Sequence, residues 1–295
     1  MKIGFVGLGN MGTGMANNIL SNIKIKSDLY VYTRTISKID NFISRGATGC
    51  SSIKDITTSV DILLTCLPNV ETSKQLFMSS DGIFEHANSS QVLVDHSTVD
   101  VKTSKDCFNL ASKKGLHFLD APISGGPGGA ADGTLTIMVG GEKSSFEFAK
   151  EAFNMMGSKI SLMGPSGAGT AMKLVNQLLV STNTVAAAEA FVLAEQSGVN
   201  LSAAIDILST SWGRSTMIER NGPITVNKEF ENSPAPLRNL VKDLGIIKEL
   251  TTQLRLKLPV TMASSDVVDE TMKLGLEEPD IAATALSIRK ISNIE

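Results

Sequence analysis

In the first half of the chain the apolar residues gather in short, β-rich runs: KIGFVG, LYVYT, ILLTCL, VLVDHS, HFLDAP and LTIMVGG, with KISLMG closing the series. Between these runs the spacing of apolar residues turns helical. Such alternation predicts βαβ units and a largely parallel, doubly wound sheet. Runs this continuously apolar are expected where helices cover both faces of the sheet. After GPSGAG the pattern changes. Residues 168–196 read as one helix without a proline, and Gly198 is placed as its C-terminal cap. At 1.5 Å per residue that helix would be roughly 40 Å long. Further helices are predicted over 202–211, 237–254, 259–274 and from 279 onward, and no strand is expected there. The fold class is therefore an α/β N-terminal domain, residues 1–164, and an all-α C-terminal domain, residues 165–295, joined by a long helix.

The first strand runs at once into Gly7-Leu8-Gly9-Asn10-Met11-Gly12, which opens a helix pattern. A GxGxxG spacing alone is weak, but strand before and helix after is the context of a Rossmann-type dinucleotide loop. Gly7 would permit the tight turn, Gly9 the approach of backbone to pyrophosphate, and Gly12 the helix–strand contact. N–H groups at the helix start would meet the phosphate charge. Where an NAD site has an acidic residue closing the second strand, this chain has Thr33, Arg34 and Thr35, then Ser37 and Lys38. A guanidinium there suits a 2′-phosphate, so NADP(H) is expected in preference to NAD. Leu67-Pro68 and Asp95 to Thr98 close two more strands at the ligand-facing edge. His96 among them is read as structural, having no obvious partner.

Composition narrows the classes. The 295 residues carry 27 Lys and Arg against 30 Asp and Glu, a formal net charge of −3. No basic run stands out, so nucleic acid is not an expected partner. Neither a signal peptide nor a membrane span is legible, and a cytoplasmic location is expected. Cys50, Cys66 and Cys107 lack metal-ligand spacing, so free thiols and no metal site are expected.

Two segments remain. DAPISGGPGGAADGTL, residues 120–135, holds five glycines and two prolines between strands. Such a loop exposes backbone N–H groups that favour an anion, and Ser124, Gly125 and Gly126 would cradle a carboxylate. GAGTAMKLVNQLL, residues 167–179, is a small-residue, apolar helix start with Lys173 in its middle and Asn176 and Gln177 a turn later. A lysine there is either snorkelling, its stem packed and its head in water, or a proton donor facing a reaction site.

GFVGLGNMG, DAPISGG, GAGTAMKLVNQ and KDLG (242–245), in that order, resemble the β-hydroxyacid dehydrogenases over nearly the whole chain. That group includes 3-hydroxyisobutyrate dehydrogenase, tartronate semialdehyde reductase and the glyoxylate/succinic semialdehyde reductases. The resemblance implies a Rossmann-type domain, a helical domain and an oligomer, here a homodimer or homotetramer. It implies that Lys173 moves a proton to or from the substrate oxygen and that Ser124 and the glycines after it bind the substrate carboxylate. Thr98 then lies near nicotinamide and substrate, Lys242 contacts the cofactor, and Asp243 is its partner.

Two departures bear on the pocket. Many relatives have asparagine four residues after the lysine; here Gln177 stands there and Asn176 at three, both on the lysine's helix face. Relatives often have phenylalanine eight residues before the aspartate, where this chain has Ala235, unless Phe230 takes its place. Arg238 offers a further positive group, and Trp212 is either a pocket wall or a core residue.

The expected function is NADP(H)-dependent reduction of a small carboxylate-bearing aldehyde or 2-oxo acid to the hydroxy acid, with Lys173 as proton donor. The ammonium also stabilises the developing alkoxide. In reverse a neutral lysine is the base, and an unperturbed pKa of about 10.4 makes alcohol oxidation favour alkaline pH. The alternatives are 3-hydroxyisobutyrate oxidation with NAD and a non-catalytic nucleotide-binding protein on the same fold.

Overall fold

The apolar runs become strands, and those at the centre of the sheet are shielded on both faces. They are β1 (Ile3–Val6), β2 (Leu29–Tyr32), β3 (Thr48–Gly49), β4 (Ile62–Thr65), β5 (Val92–Asp95), β6 (His117–Asp120), β7 (Ile123–Ser124), β8 (Leu135–Gly140) and β9 (Gly157–Gly164). The computed structural model describes residues 1–294 apart from 232 and 277. Among them the strands form one sheet in the order β3-β2-β1-β4-β5-β6-β8-β7, with β9 paired to β8. From β3 to β6 every pairing is parallel. This is the doubly wound dinucleotide-binding order, and its direction reverses between β1 and β4.

Alternate residues of one strand feed different cores. Leu63, Leu93 and Phe118 join a cluster with Phe77 and Phe84, in which Phe77 and Phe118 meet edge to face at 5.4 Å. Their neighbours Leu64, Val94 and Leu119 join Met15, Ile19 and Phe153 on the other side. No residue of β1, β4 or β5 reaches solvent appreciably. Helices on both faces are what make such strands stable in water.

β8 departs from the parallel rule, pairing antiparallel with β6 and β7. Residues 125–134 are too few for a parallel crossover, which takes a dozen or more, so the chain turns back beside the strand it left. That connection is not the open loop expected from its glycines. It contains a helix, Gly126–Asp132, closed by Gly133 at φ 68°.

The chain forms two compact units, Met1–Lys173 and Leu174–Glu295. The division falls inside the long helix, Ala168–Gln196. Its first turns belong with the sheet, because Gly169 packs so closely that a Cβ would stand 2.3 Å from Met138 O. In length and apolarity this helix meets the measure of a membrane span, with mean hydropathy 1.3 over its most apolar window. Core helices meet the same measure, and Val185, Ala187, Ala188 and Phe191 are buried here.

The second unit is helical, as expected, with Leu201–Leu208, Leu237–Gln253, Pro259–Met272 and Thr284–Ile291. One helix was not expected. Thr216–Asn227 carries Pro223 in its interior. The helix continues because Gly222 packs against Ile205, where a Cβ would stand 2.8 Å from its side chain. Burial there outweighs the one backbone bond that the proline removes. The preceding helix ends at Leu208, short of 211. Trp212 beyond it is 107 % exposed, so it is not a core residue.

Candidate functional site

The glycine loop is shaped by what stands around each glycine. A Cβ on Gly7, at φ 100°, would lie 2.3 Å from Cys66 O, and one on Gly12 would lie 2.0 Å from Gly7 O. Both positions exclude a side chain because backbone occupies the space. At Gly9 nothing stands within 4 Å, which is the room a pyrophosphate takes. Helix Asn10–Asn22 starts there with no side-chain cap and no acidic residue in its first turn, so its N–H groups are disposed toward an anion. The residues present fit a dinucleotide. Leu8 is buried, so it offers only backbone, and Met11 packs onto the core while Asn10 is exposed.

At the end of β2, Thr33 is half-buried and Arg34 and Thr35 are exposed. A further residue joins this corner. Lys38 Nζ donates to Leu8 O at 3.1 Å, tying the segment after β2 to the glycine loop. Its proximity to Arg34 in sequence is the only signal that pointed to it.

The ends of β4 and β5 are pinned together by a buried carboxylate. Asp95 Oδ1 accepts from Thr65 Oγ1 and from Ser97 N, both at 2.9 Å. Leu67 N in turn donates to Ser97 Oγ at 2.8 Å. Leu67-Pro68 and Ser97-Thr98 are thereby held side by side, with Thr98 half-buried. Burial raises the Asp95 carboxyl, against the pull of its donors. His96 points the other way. Its Nδ1 lies 2.7 Å from Ala121 O, its ring meets Phe153 edge-on, and burial lowers its pKa to about 4. It is a neutral core histidine, consistent with the structural reading.

Asp120, the first residue of the DAPISGG segment, connects two candidate elements. It closes β6, four residues before Ser124. Its Oδ1 accepts from Gly167 N at 2.7 Å and its Oδ2 from Thr170 N at 2.8 Å. The carboxylate thus satisfies orphan donors at the start of the long helix, one turn before Lys173. A Cβ on Gly140 would stand 2.6 Å from Asp120 Oδ1, so a glycine makes room for this bond. Lys173 itself is 7 % exposed. Lysines are rarely so buried without partners or a task, which disfavours the snorkelling alternative. Ser124 is half-buried, and Gly125 and Gly126 after it are exposed at φ 135° and 63°. Only glycine takes successive positive φ values without strain.

In the helical unit, Gln177 Nε2 donates to Asp243 Oδ2 and Gln177 Oε1 accepts from Asn176 Nδ2. Lys242 Nζ lies 3.2 Å from Asp243 Oδ1, close enough for an ion pair but without hydrogen-bond alignment. Asn176, Gln177, Lys242 and Asp243 are thus one cluster. Two expectations fail here. Phe230 does not substitute for the phenylalanine missing at Ala235, because it is buried against Ala282 and Ala283. Arg238 pairs with Glu278 and is not an uncommitted cation.

Residues 2–164 match a sequence family described as the NAD binding domain of 6-phosphogluconate dehydrogenase. Residues 167–287 match one described as the NAD-binding part of NADP-dependent 3-hydroxyisobutyrate dehydrogenase. The 2-(hydroxymethyl)glutarate dehydrogenase of Eubacterium barkeri is 32 % identical over 96 % of this chain and 93 % of its own length. Glyoxylate/succinic semialdehyde reductase 1 of Arabidopsis thaliana is 29 % identical over 98 % of this chain and 99 % of its own. A solved structure of the 3-hydroxyisobutyrate dehydrogenase of Mycobacterium tuberculosis, with L-serine, is 27 % identical with a TM-score of 0.86. It covers 97 % of this chain and 98 % of that one.

Proposed function

Because the chain belongs to the β-hydroxyacid dehydrogenase family, we propose that it reduces a small semialdehyde or 2-oxo acid to the hydroxy acid with NADPH. It is an enzyme, an NAD(P)-dependent hydroxyacid dehydrogenase or reductase, so the binding-only alternative falls away. The observation that carries the finer reading is Lys173, buried one turn beyond the Asp120-anchored start of its helix.

The dinucleotide, when bound, supplies or accepts a hydride at its nicotinamide ring. The chain's own residues do the rest. Gly7 to Gly12 receive the pyrophosphate on backbone N–H groups. Leu67-Pro68 and Thr98 wall the nicotinamide side, and Ser124, Gly125 and Gly126 hold the substrate carboxylate. Lys173 as ammonium gives its proton to the substrate oxygen and stabilises the negative charge that builds there. Asn176 offers an amide on the lysine's helix face, while Gln177 and Asp243 brace Lys242.

Preference for NADP(H) is supported by Arg34, which makes no hydrogen bond or ion pair among the described residues. An uncommitted guanidinium at the end of β2 is matched to a 2′-phosphate. A homodimer or homotetramer belongs to the same reading. Met172, Val175, Leu179 and Leu193 stand exposed at 39, 51, 52 and 69 % along one stripe of the long helix, an apolar face that a second copy would cover.

A second reading, oxidation of 3-hydroxyisobutyrate with NAD, draws on the likeness to the M. tuberculosis enzyme. One experiment separates the two. NADPH and NADH oxidation are followed across glyoxylate, succinic semialdehyde and tartronate semialdehyde, with 3-hydroxyisobutyrate and NAD assayed in reverse and Lys173→Ala alongside. The proposal expects NADPH turnover that drops by about 10² to 10⁴ in the variant. Activity confined to 3-hydroxyisobutyrate with NAD would replace it.

A further inference from the structure

Helix Asn10–Asn22, which opens at the glycine loop, is joined to helix Gly126–Asp132, which opens at Ser124-Gly125-Gly126. The joint is one amide. Asn18 Nδ2 donates to Ala130 O at 2.7 Å, to Ala131 O at 3.0 Å and to Gly14 O at 3.1 Å. The carbonyls of Ala130 and Ala131 lie in the last turn of the short helix, where no intrahelical donor remains. Asn18 is therefore the C-terminal cap of a helix more than a hundred residues away in sequence.

The surroundings are built for this contact. A Cβ on Gly14 would stand 2.8 Å from the backbone of Ala130, so the two helices meet backbone to backbone. Gly133, at φ 68°, follows the capped turn, and a Cβ there would lie 3.1 Å from Asn18 Oδ1. Two glycines and one asparagine thus make a close joint. On its other side the loop is held by the sheet, through the Ser124↔Thr136 pairing of β7 with β8.

We propose that Asn18 is a positioning residue for the substrate carboxylate. By capping helix Gly126–Asp132 it fixes Ser124, Gly125 and Gly126 relative to the coenzyme-binding helix. The inference rests on the reading of Ser124–Gly126 as the carboxylate cradle. The short helix spans about 10 Å at 1.5 Å per residue, so a shift at its capped end tilts the cradle at the other. Asn18 itself lies eight residues beyond the helix start at Asn10, roughly 12 Å along its own helix, too far to reach a pyrophosphate. Its loss therefore separates substrate anchoring from coenzyme binding, which a general loosening of the fold would not do.

The test compares Asn18→Ala with wild type on the best acidic aldehyde of the panel and on a neutral aldehyde of similar length, such as butanal. NADPH affinity is read in parallel by fluorescence titration. The expected result is a KM for the acidic aldehyde raised tenfold or more. Its kcat, the kcat/KM for butanal and the NADPH Kd all stay within about twofold. An unchanged KM, or a parallel fall for both aldehydes, would overturn the inference. Should Asn18→Ala fail to fold, Asn18→Ser takes its place, since its single short donor cannot reach both carbonyls. A wild-type enzyme with no preference for the acidic aldehyde would instead remove the carboxylate cradle itself, and this role with it.

Discussion

Gln177 Nε2 donates to Asp243 Oδ2 at 2.5 Å, while Gln177 Oε1 accepts from Asn176 Nδ2 at 3.0 Å. Both ends of the amide are committed, and they tie helix Ala168–Gln196 to helix Leu237–Gln253. Asp243 is buried, so this donor offsets part of the cost of keeping its charge from water. Gln177→Ala is expected to lower stability by about 2 kcal/mol, the scale of a hydrogen bond to a charged group. Gln177→Asn, shorter by one bond of about 1.5 Å, should lose nearly as much. Urea denaturation measures both, and an asparagine variant as stable as wild type would show that the bond matters little.

Arg34 and Lys38 are assigned different tasks by their surroundings. Arg34 is exposed with no partner among the described residues, whereas Lys38 is engaged on Leu8 O. Replacing Arg34 with alanine should weaken NADPH binding about tenfold to a hundredfold, one to two multiples of 1.4 kcal/mol. NADH binding should stay within about threefold. Lys38→Ala should weaken both dinucleotides, because it releases the glycine loop. Fluorescence titration of each variant with each coenzyme decides the matter, and equal losses for Arg34→Ala would return the preference to NAD.

His96 makes stability depend on pH. Burial lowers its pKa from 6.5 to about 4, so between these values the unfolded chain binds a proton that the folded one does not. Stability should therefore fall as pH drops from about 6.5 toward 4, by roughly 3 kcal/mol in all from this group. Asp95 and Asp120 act in the opposite sense, since burial raises both carboxyls and their protonation favours the fold at low pH. Comparing wild type with His96→Gln cancels those carboxylates. The difference in unfolding free energy should shrink steadily over that window, and a constant difference would mean that His96 does not titrate on unfolding.

Asp280 clamps three segments of the helical unit. Its carboxylate receives both guanidinium nitrogens of Arg220, the Ser233 hydroxyl and, at 2.7 Å, the Ala282 N–H. Its backbone N donates to Phe230 O at 2.7 Å, and Leu237 N to Pro279 O at the same distance. The segment leading into the Lys242–Asp243 helix is thereby anchored at its base. Removing one partner of a buried pair is costly, and Asp280 is 1 % exposed. Arg220→Ala should lower stability by about 3 kcal/mol, at the lower end of the usual range because Arg220 is partly exposed. A loss below 1 kcal/mol in urea denaturation would contradict the clamp.

Much of this protein was legible along the chain. Strand runs, the glycine spacing, the long helix and the lysine within it are local signals. They depend on which residues can tolerate burial and which backbone angles a turn demands. Gly7 and Gly12 illustrate this, since each is a glycine for a reason set within a few residues or by an adjacent strand. The family resemblance added roles for Ser124, Lys173 and Asp243 that spacing alone could not assign.

What sequence could not decide was the partner each polar group would find. Nothing near Asn18 announces a carbonyl at Ala130, and nothing near Asp120 announces the start of the Lys173 helix. Arg238 looked available until Glu278 stood beside it, and Phe230 looked able to replace the phenylalanine missing at Ala235 until Ala282 and Ala283 covered it. No helix was expected over 216–227, yet one runs through Pro223 where Gly222 meets Ile205. Periodicity along the chain reports how deeply a position is buried and on which face. The choice of hydrogen-bond partner, and the override of a local breaker, depend on residues brought together only when distant segments pack. The chain itself determined the doubly wound sheet, the dinucleotide loop and the lysine. Tertiary packing alone decided which side chains hold those parts in place.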